Sequence, residues 1–438
     1  MNRWGTGARM RAALSVCGAL LLTACGAGSG GSGGDSDELL VWVDNTRTAA
    51  AKEYAKAHPD QKIRVVTIPP DAGYVPTKVS LANRTKRGWP DVVFLANPSE
   101  TATLAAEPFN YAAPLDDAVP KETLEGFAPG ALDTCTFDGQ TYCLRNDIAP
   151  AILWYDSTLM KKYGYEVPTT WEEYRNVGLK AAAEHPGTIV GSVAGKYGAG
   201  LYFGSSGCPT RDTLSLTKVR IDTTDATCGR VADILQPLAE KKAVTEVVPT
   251  EPSFAKLGAD DKILMLPGPA WFGDFMFKPS FKVPDGRIAA AAMPVWSGES
   301  TSAAGQVGGG AFVVSKHAGK RTEAATDLVT WLTTDVALQA KQPTYPAFTA
   351  AATEWGKAKA KDTYYATNPV PVLTEAAANL RPGFGAVRYE AEWQSSFNDT
   401  VGAAVGAGKS VKSALGSWQE RLVQAAKTSN YTVERAAQ

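Results

Sequence analysis

Read for chemistry, the 438-residue chain offers near misses before it offers a site. Gly204-Ser205-Ser206-Gly207 lacks the Gly-x-Ser-x-Gly spacing that presents a nucleophilic serine on a strained strand-to-helix turn. Gly191-Ser192-Val193-Ala194-Gly195-Lys196 is one residue short of a phosphate loop, and Tyr197 follows where a Ser or Thr would be needed. Only three histidines occur (His58, His185, His317) and there is no Cys-x-x-Cys, which argues against zinc. Carboxylates are plentiful and a glycosidase needs only a pair of them flanking one bond, but spacing identifies no such pair. A hydrolase therefore stands as an alternative without a motif behind it; no catalytic residue, metal or cofactor is expected.

The aromatic residues are more informative. Trp42, Trp154, Trp271 with Phe272, and Trp296 sit beside the ends of expected strands. Sugar C–H faces stack on indole and phenol rings, while sugar hydroxyls take amide, carboxylate or guanidinium partners. Any one Trp is as well explained by core packing, and Trp171 better so; the carbohydrate reading rests on the ensemble. Six cysteines are present. Cys17 falls in an N-terminal export signal and Cys25 at its end, so Cys135, Cys143, Cys208 and Cys228 remain. An even number in an oxidising compartment reads as two disulfides. Of three connectivities, Cys135–Cys143 and Cys208–Cys228 are preferred by proximity.

Composition narrows the class. The 44 Lys+Arg nearly balance 45 Asp+Glu, and 44% of residues are hydrophobic, which excludes a disordered chain and leaves no basic excess for nucleic acid. The length suggests two or three domains. Arg3, Arg9 and Arg11 precede the short apolar run 12–23, the layout of a secretory signal. Leu22-Thr23-Ala24-Cys25 has the form of a lipobox, so residues 1–24 are expected to be removed and Cys25 lipidated. Residues 25–38 read as a flexible Gly/Ser tether.

The elements that must position any site start at Leu39. Leu39–Val43, Ile63–Ile68 and Asp91–Leu95 read as strands separated by helices at Thr48–Ala57 and Lys78–Lys86, a βαβαβ run that predicts a parallel sheet. Ligands gather at the carboxyl ends of such strands. Further strands are expected at Ala149–Tyr155, Ile263–Leu266 and Ala311–Ser315, and helices at Arg321–Thr333, Trp393–Ala404 and Ser410–Ala426. Thr170 with Glu173 has capping-box spacing.

In this order, several stretches resemble a known family: Leu40–Val43; Trp89–Val93; Gly139–Tyr142 through Trp154-Tyr155-Asp156 to Pro168–Glu173; Lys262–Trp271; and Gly308–Ser315 with Glu323-Ala324-Ala325 and Trp331-Leu332-Thr333. The chain is similar to the extracellular solute-binding lipoproteins of bacterial ABC importers, in the carbohydrate-binding group that includes maltose-binding protein. The resemblance implies a two-lobed α/β fold of type II periplasmic-binding-protein form, each lobe a mainly parallel sheet flanked by helices. Lobe one would hold 39–146 plus about 306–345, and lobe two about 147–305 plus 346–438. It implies ligand contacts from Asp44, Asn45, Arg47 and Asn97 in lobe one and Asp147 at the hinge. From lobe two it implies stacking by Tyr202, Phe203, Trp271 and Phe272, and by Trp393 or nearby Tyr389. Gly309 would allow close backbone approach to ligand. The family often has Pro where Arg145 stands, and Arg145 would either meet an acidic sugar or, the favoured reading, pair with Asp147. The implied partners are a mono- or oligosaccharide, permease subunits, and the outer face of the cell membrane through the Cys25 lipid; the protein is expected to be a monomer. A polyamine or iron chelate, or an adhesion or sensor role, are the other readings of the same fold.

Overall fold

The computed structural model describes residues 37–383 and 385–434. The expected signal sequence, Cys25 and most of the tether lie outside them.

Strand Leu39–Val43 alternates buried and half-buried side chains and lies parallel to Ile63–Thr67 on one side and to Val92–Leu95 on the other. Helices Thr48–Ala57 and Tyr74–Thr85 make the crossovers, as the βαβαβ pattern requires. All four residues of Val92–Leu95 are buried, because the sheet is covered on both faces. Strands Ala311–Val314 and then Leu144–Arg145 extend the sheet antiparallel. Asp91 pins the sheet: its carboxylate accepts from Arg321 Nη2 (2.8 Å) and from the Leu40 N–H (2.8 Å).

The second sheet corrects one expectation. Ala151–Asp156 lies between Met265–Pro269 and Ile288–Ala291, and both pairings are antiparallel, not parallel. A strand buried on both faces shows no alternation, so its sequence does not disclose the direction of its neighbours. Strand Met265–Pro269, expected to end at Leu266, runs on through Pro267-Gly268-Pro269. It is an edge strand, where proline is tolerated. The capping box at Thr170 forms as expected, with Glu173 reaching back to the Thr170 N–H. Trp171, which follows it, is fully buried and stacks on Trp296 with ring centroids 4.7 Å apart. Both expected disulfides are present, Cys135–Cys143 and Cys208–Cys228.

Three chain segments run side by side between the two sheets. Asp147 bridges to Pro346 and Pro150 to Gln306, and the Ala151 N–H donates to the Gly305 carbonyl (2.8 Å). The positively twisted Gly309 (φ 81°) belongs to this crossing.

Candidate ligand cleft

A cleft of about 390 Å³ opens beside these crossings. One wall is built by the segments that leave the carboxyl ends of Ile63–Thr67 and Val92–Leu95, carrying Asp71, Asn97 and Ser99. The floor is Thr134, Arg145 and Gln306–Gly308. The far wall holds Lys196, Arg211, Glu390, Trp393 and Gln394, the last three on one turn of helix Glu390–Phe397.

Arg211 organises the far wall. It pairs with Glu390 through Nη1, donates from Nε to the Gly385 carbonyl (2.9 Å), and lies 4.7 Å over the Trp393 ring. Its Nη2 donates to Ser99 Oγ (2.7 Å), and Ser99 donates in turn to Glu390 Oε2 (3.0 Å). Gln394 Nε2 supports the other Glu390 oxygen (2.9 Å), and Trp393 Nε1 donates to Thr210 (3.1 Å). Arg145, 0% exposed, donates to Thr134 Oγ1 (2.8 Å) and to the main-chain carbonyls of Asp147 (3.0 Å) and Gly308 (3.3 Å). Burial lowers its pKa to about 10, so it stays cationic at neutral pH. Burial also lowers that of Lys196, opposed by the charge of Glu390. Next to the wall that carries Asn97, Glu100 is raised to about 7, by burial first and against a hydrogen bond from the Gly73 N–H. The amide oxygen of Gln306 is buried without a hydrogen-bond partner among the described residues.

Of the residues expected to hold ligand, Asn97 and Trp393 line this cleft. The others are placed elsewhere, for visible reasons. Asp44, Arg47 and Asp147 form a chain of charges: Arg47 meets Asp44 Oδ2 (3.2 Å) and Asp147 Oδ1 (3.0 Å), and the same Asp147 oxygen accepts from Asn146 Nδ2 (2.9 Å) and the Gly310 N–H (3.0 Å). That arrangement ties the crossing strands to the first sheet. Asn45 points to solvent in the turn after the first strand. Tyr202 and Phe203 are 0% exposed in a π-helical turn; Tyr202 bonds the Tyr174 hydroxyl (2.9 Å) and Phe203 packs on Phe397 and Trp418. Trp271 donates to the Val307 carbonyl (2.9 Å) and lines a separate small recess, while Phe272 is buried edge-on against it. Tyr389 is buried and its hydroxyl has no hydrogen-bond partner among the described residues. Gly309 does approach something closely, but it is protein: a Cβ there would stand 2.3 Å from Arg145 Nη2 and 2.7 Å from the Asp147 carbonyl. The favoured Arg145–Asp147 pairing holds through that carbonyl, not through the carboxylate.

Sequence reasoning missed Asp71, Lys196, Arg211, Gln306, Glu390 and Gln394. For the last two a signal existed: Glu390, Trp393 and Gln394 stand at i, i+3 and i+4, one face of a helix. Arg211 and Lys196 lie in no pattern that spacing could reveal. Among the described residues no cluster of His, Cys, Asp or Glu could hold a metal ion, and no helix is long and apolar enough to cross a membrane.

Two sheets joined by three crossings, with a polar cleft beside them, describe a two-lobed binding protein. Residues 43–339 match the family described as bacterial extracellular solute-binding protein, and the chain belongs to that family. It is 24% identical over 326 residues to the arabinooligosaccharide-binding protein of Bacillus subtilis, covering 71% of this chain and 72% of that one. Among solved structures it is similar to the galacto-N-biose/lacto-N-biose I-binding protein of the Bifidobacterium longum ABC transporter, bound to lacto-N-biose (TM-score 0.73, 18% identity, 92% of this chain and 100% of that one). It is also similar to the transporter-associated binding protein of B. animalis subsp. lactis in complex with β-1,6-galactobiose (TM-score 0.72, 21% identity, 91% and 100%). The expected type II two-lobed α/β fold is thereby established.

Proposed function

We propose that this protein is the saccharide-capturing component of an ABC importer, held outside the cell membrane by a lipid on Cys25 after removal of residues 1–24, and that it works without catalysis. One observation carries the reading. The cleft at the carboxyl ends of two parallel strands is lined by planar hydrogen-bonding groups (Asn97, Gln306, Arg211, Glu390, Gln394) around the Trp393 indole, and one of them, the Gln306 oxygen, lacks a partner among the described residues. Hydroxyl-rich ligands supply donors to such acceptors. Asn97 and Trp393 are proposed as ligand contacts, joined by Asp71, Lys196, Arg211, Gln306, Glu390 and Gln394. The lobes are proposed to meet near residues 146/147, 305/306 and 345/346, where the three crossings lie together. Ligand would stabilise the closed arrangement, the form a permease engages. The named relatives are all saccharide-binding proteins, which favours sugar over polyamine or iron chelate.

The test is a thermal-shift screen of the mature chain against saccharides, polyamines, amino acids and metal chelates. A ligand at a hundred times its Kd stabilises by roughly 2.7 kcal/mol, a shift of degrees. A response to one saccharide series, with the sugar recovered unchanged, supports the proposal. A response to a polyamine or chelate alone overturns it, and hydrolysed sugar overturns the non-catalytic reading.

A further inference from the structure

The cleft holds more positive charge than a neutral sugar needs. Arg145 is completely buried, and its four hydrogen bonds go to a hydroxyl and to main-chain carbonyls; no carboxylate pairs with it among the described residues. The adjacent carboxylate, Asp147, is held by Arg47. The charge of Asp147 acts on Arg145 against the effect of burial, but no carboxylate oxygen touches the guanidinium, and a buried charge without a contacting counter-ion is costly. Lys196 faces the same cleft, and its ammonium has neither an ion pair nor a hydrogen bond among the described residues. It lies only over the Tyr197 ring, 5.6 Å away. Its backbone is fixed, since the preceding Gly195 N–H donates to Asn398 Oδ1 (2.6 Å).

The two carboxylates that line the cleft make no ion pair with either cation, although the charge of Glu390 acts on Lys196 from a distance. Glu390 is occupied by Arg211, Ser99 and Gln394. Asp71 is exposed at the rim, where water and salt screen it. Trp393 is the one aromatic lining residue among the described residues, and Arg211 covers its face, so ring stacking has little surface to work with. Seating a neutral ligand would strip water from Lys196 and leave it only the more distant charge of Glu390. An anion would return charge to Lys196 by contact and to Arg145 through the low-dielectric floor.

We infer, on the basis of the saccharide reading above, that the ligand is an acidic saccharide whose carboxylate, as in a uronic acid, seats on Lys196 with Arg145 behind it. Calorimetric titration of the mature protein with matched pairs tests this: galacturonate against galactose, glucuronate against glucose, their disaccharide counterparts, and galactose 6-sulfate and glucose 6-phosphate as other anions. The acid of one pair should bind roughly tenfold or more tightly than its neutral partner, with a preference that shrinks as salt rises. Lys196→Met should collapse that preference, and Lys196→Arg should keep most of it. Neutral sugars binding as well as their acids, or a preference untouched by Lys196→Met, overturn the inference and leave the saccharide reading standing. Binding of the sulfate or phosphate esters in place of uronates overturns the carboxylate. Failure of every saccharide, acidic and neutral, overturns the saccharide reading and this inference with it.

Discussion

Arg211 reaches across the cleft to Ser99, 112 residues earlier in the chain, and its Nη2 donates to the serine hydroxyl at 2.7 Å. The hydroxyl in turn donates a hydrogen bond to Glu390, so the two walls share one three-membered polar contact. A hydrogen bond to a charged group contributes about 1.5–3 kcal/mol. Ser99→Ala should therefore shift the unliganded protein toward an open form, raising its radius of gyration in small-angle scattering. Apparent affinity should fall in proportion to the lost closed population. Identical scattering curves for the two proteins would show that the contact does not hold the walls together.

Gly309 offers a separate test of the floor. Its φ of 81° already disfavours a side chain, and an added methyl would press on both the Arg145 guanidinium and the Asp147 carbonyl. Gly73 has the same φ of 81° and open space around its Cβ position. Gly309→Ala should cost about 2–4 kcal/mol in urea unfolding, and Gly73→Ala about 1 kcal/mol, the backbone cost alone. Equal costs would mean that the crowding around Gly309 relaxes freely.

Glu100 makes stability depend on pH. Its carboxyl is raised from 4.5 to about 7, by burial and then by the charge of Glu390. Between those values the folded chain keeps a proton that the unfolded chain has lost. The contribution to stability is thus fully present below about pH 4.5 and is lost as pH rises through about 7. Glu100→Gln should flatten the fall in denaturation midpoint across that window. A variant with the parent's slope would place the titration elsewhere.

The disulfides should differ in worth. Cys208–Cys228 closes a separation of 20 residues and Cys135–Cys143 one of 8. On loop entropy, replacing either pair by Ser should cost roughly 2–4 kcal/mol, with the longer loop costing more. Calorimetric Tm values for the two double variants would reveal a reversed order if local packing dominates.

Local chemistry was the most legible part of this sequence. The Thr170–Glu173 capping box, the first three strands and both disulfides follow from neighbours within a few residues or from cysteine proximity. Strand direction in the second sheet was not legible, since Ala151–Leu153 is buried throughout and carries no alternation. The cleft was half legible. Asn97 and Trp393, expected from family position, line the cleft, whereas Tyr202 and Phe203 lie buried outside its lining, because the same aromatic side chains that stack on sugars also fill cores. Arg211 became visible only once folding had brought Ser99 and Glu390 to it. The Asp147 carboxylate was expected in the cleft, yet Arg47, fixed by Asp44, draws it away.

The two sulfur bridges also bear on how the protein is made. Thr134, which supports Arg145 in the floor, directly precedes Cys135, and Arg211 follows Cys208 by three residues, so each bridge braces a stretch that lines the cleft. No cysteine stands in a strand of either sheet, so the strand pairings do not depend directly on a bridge. Material produced in a reducing cytoplasm would thus have the circular dichroism of a finished product and the titration curve of a defective one, and an oxidative refolding step belongs in any preparation used to search for its ligand.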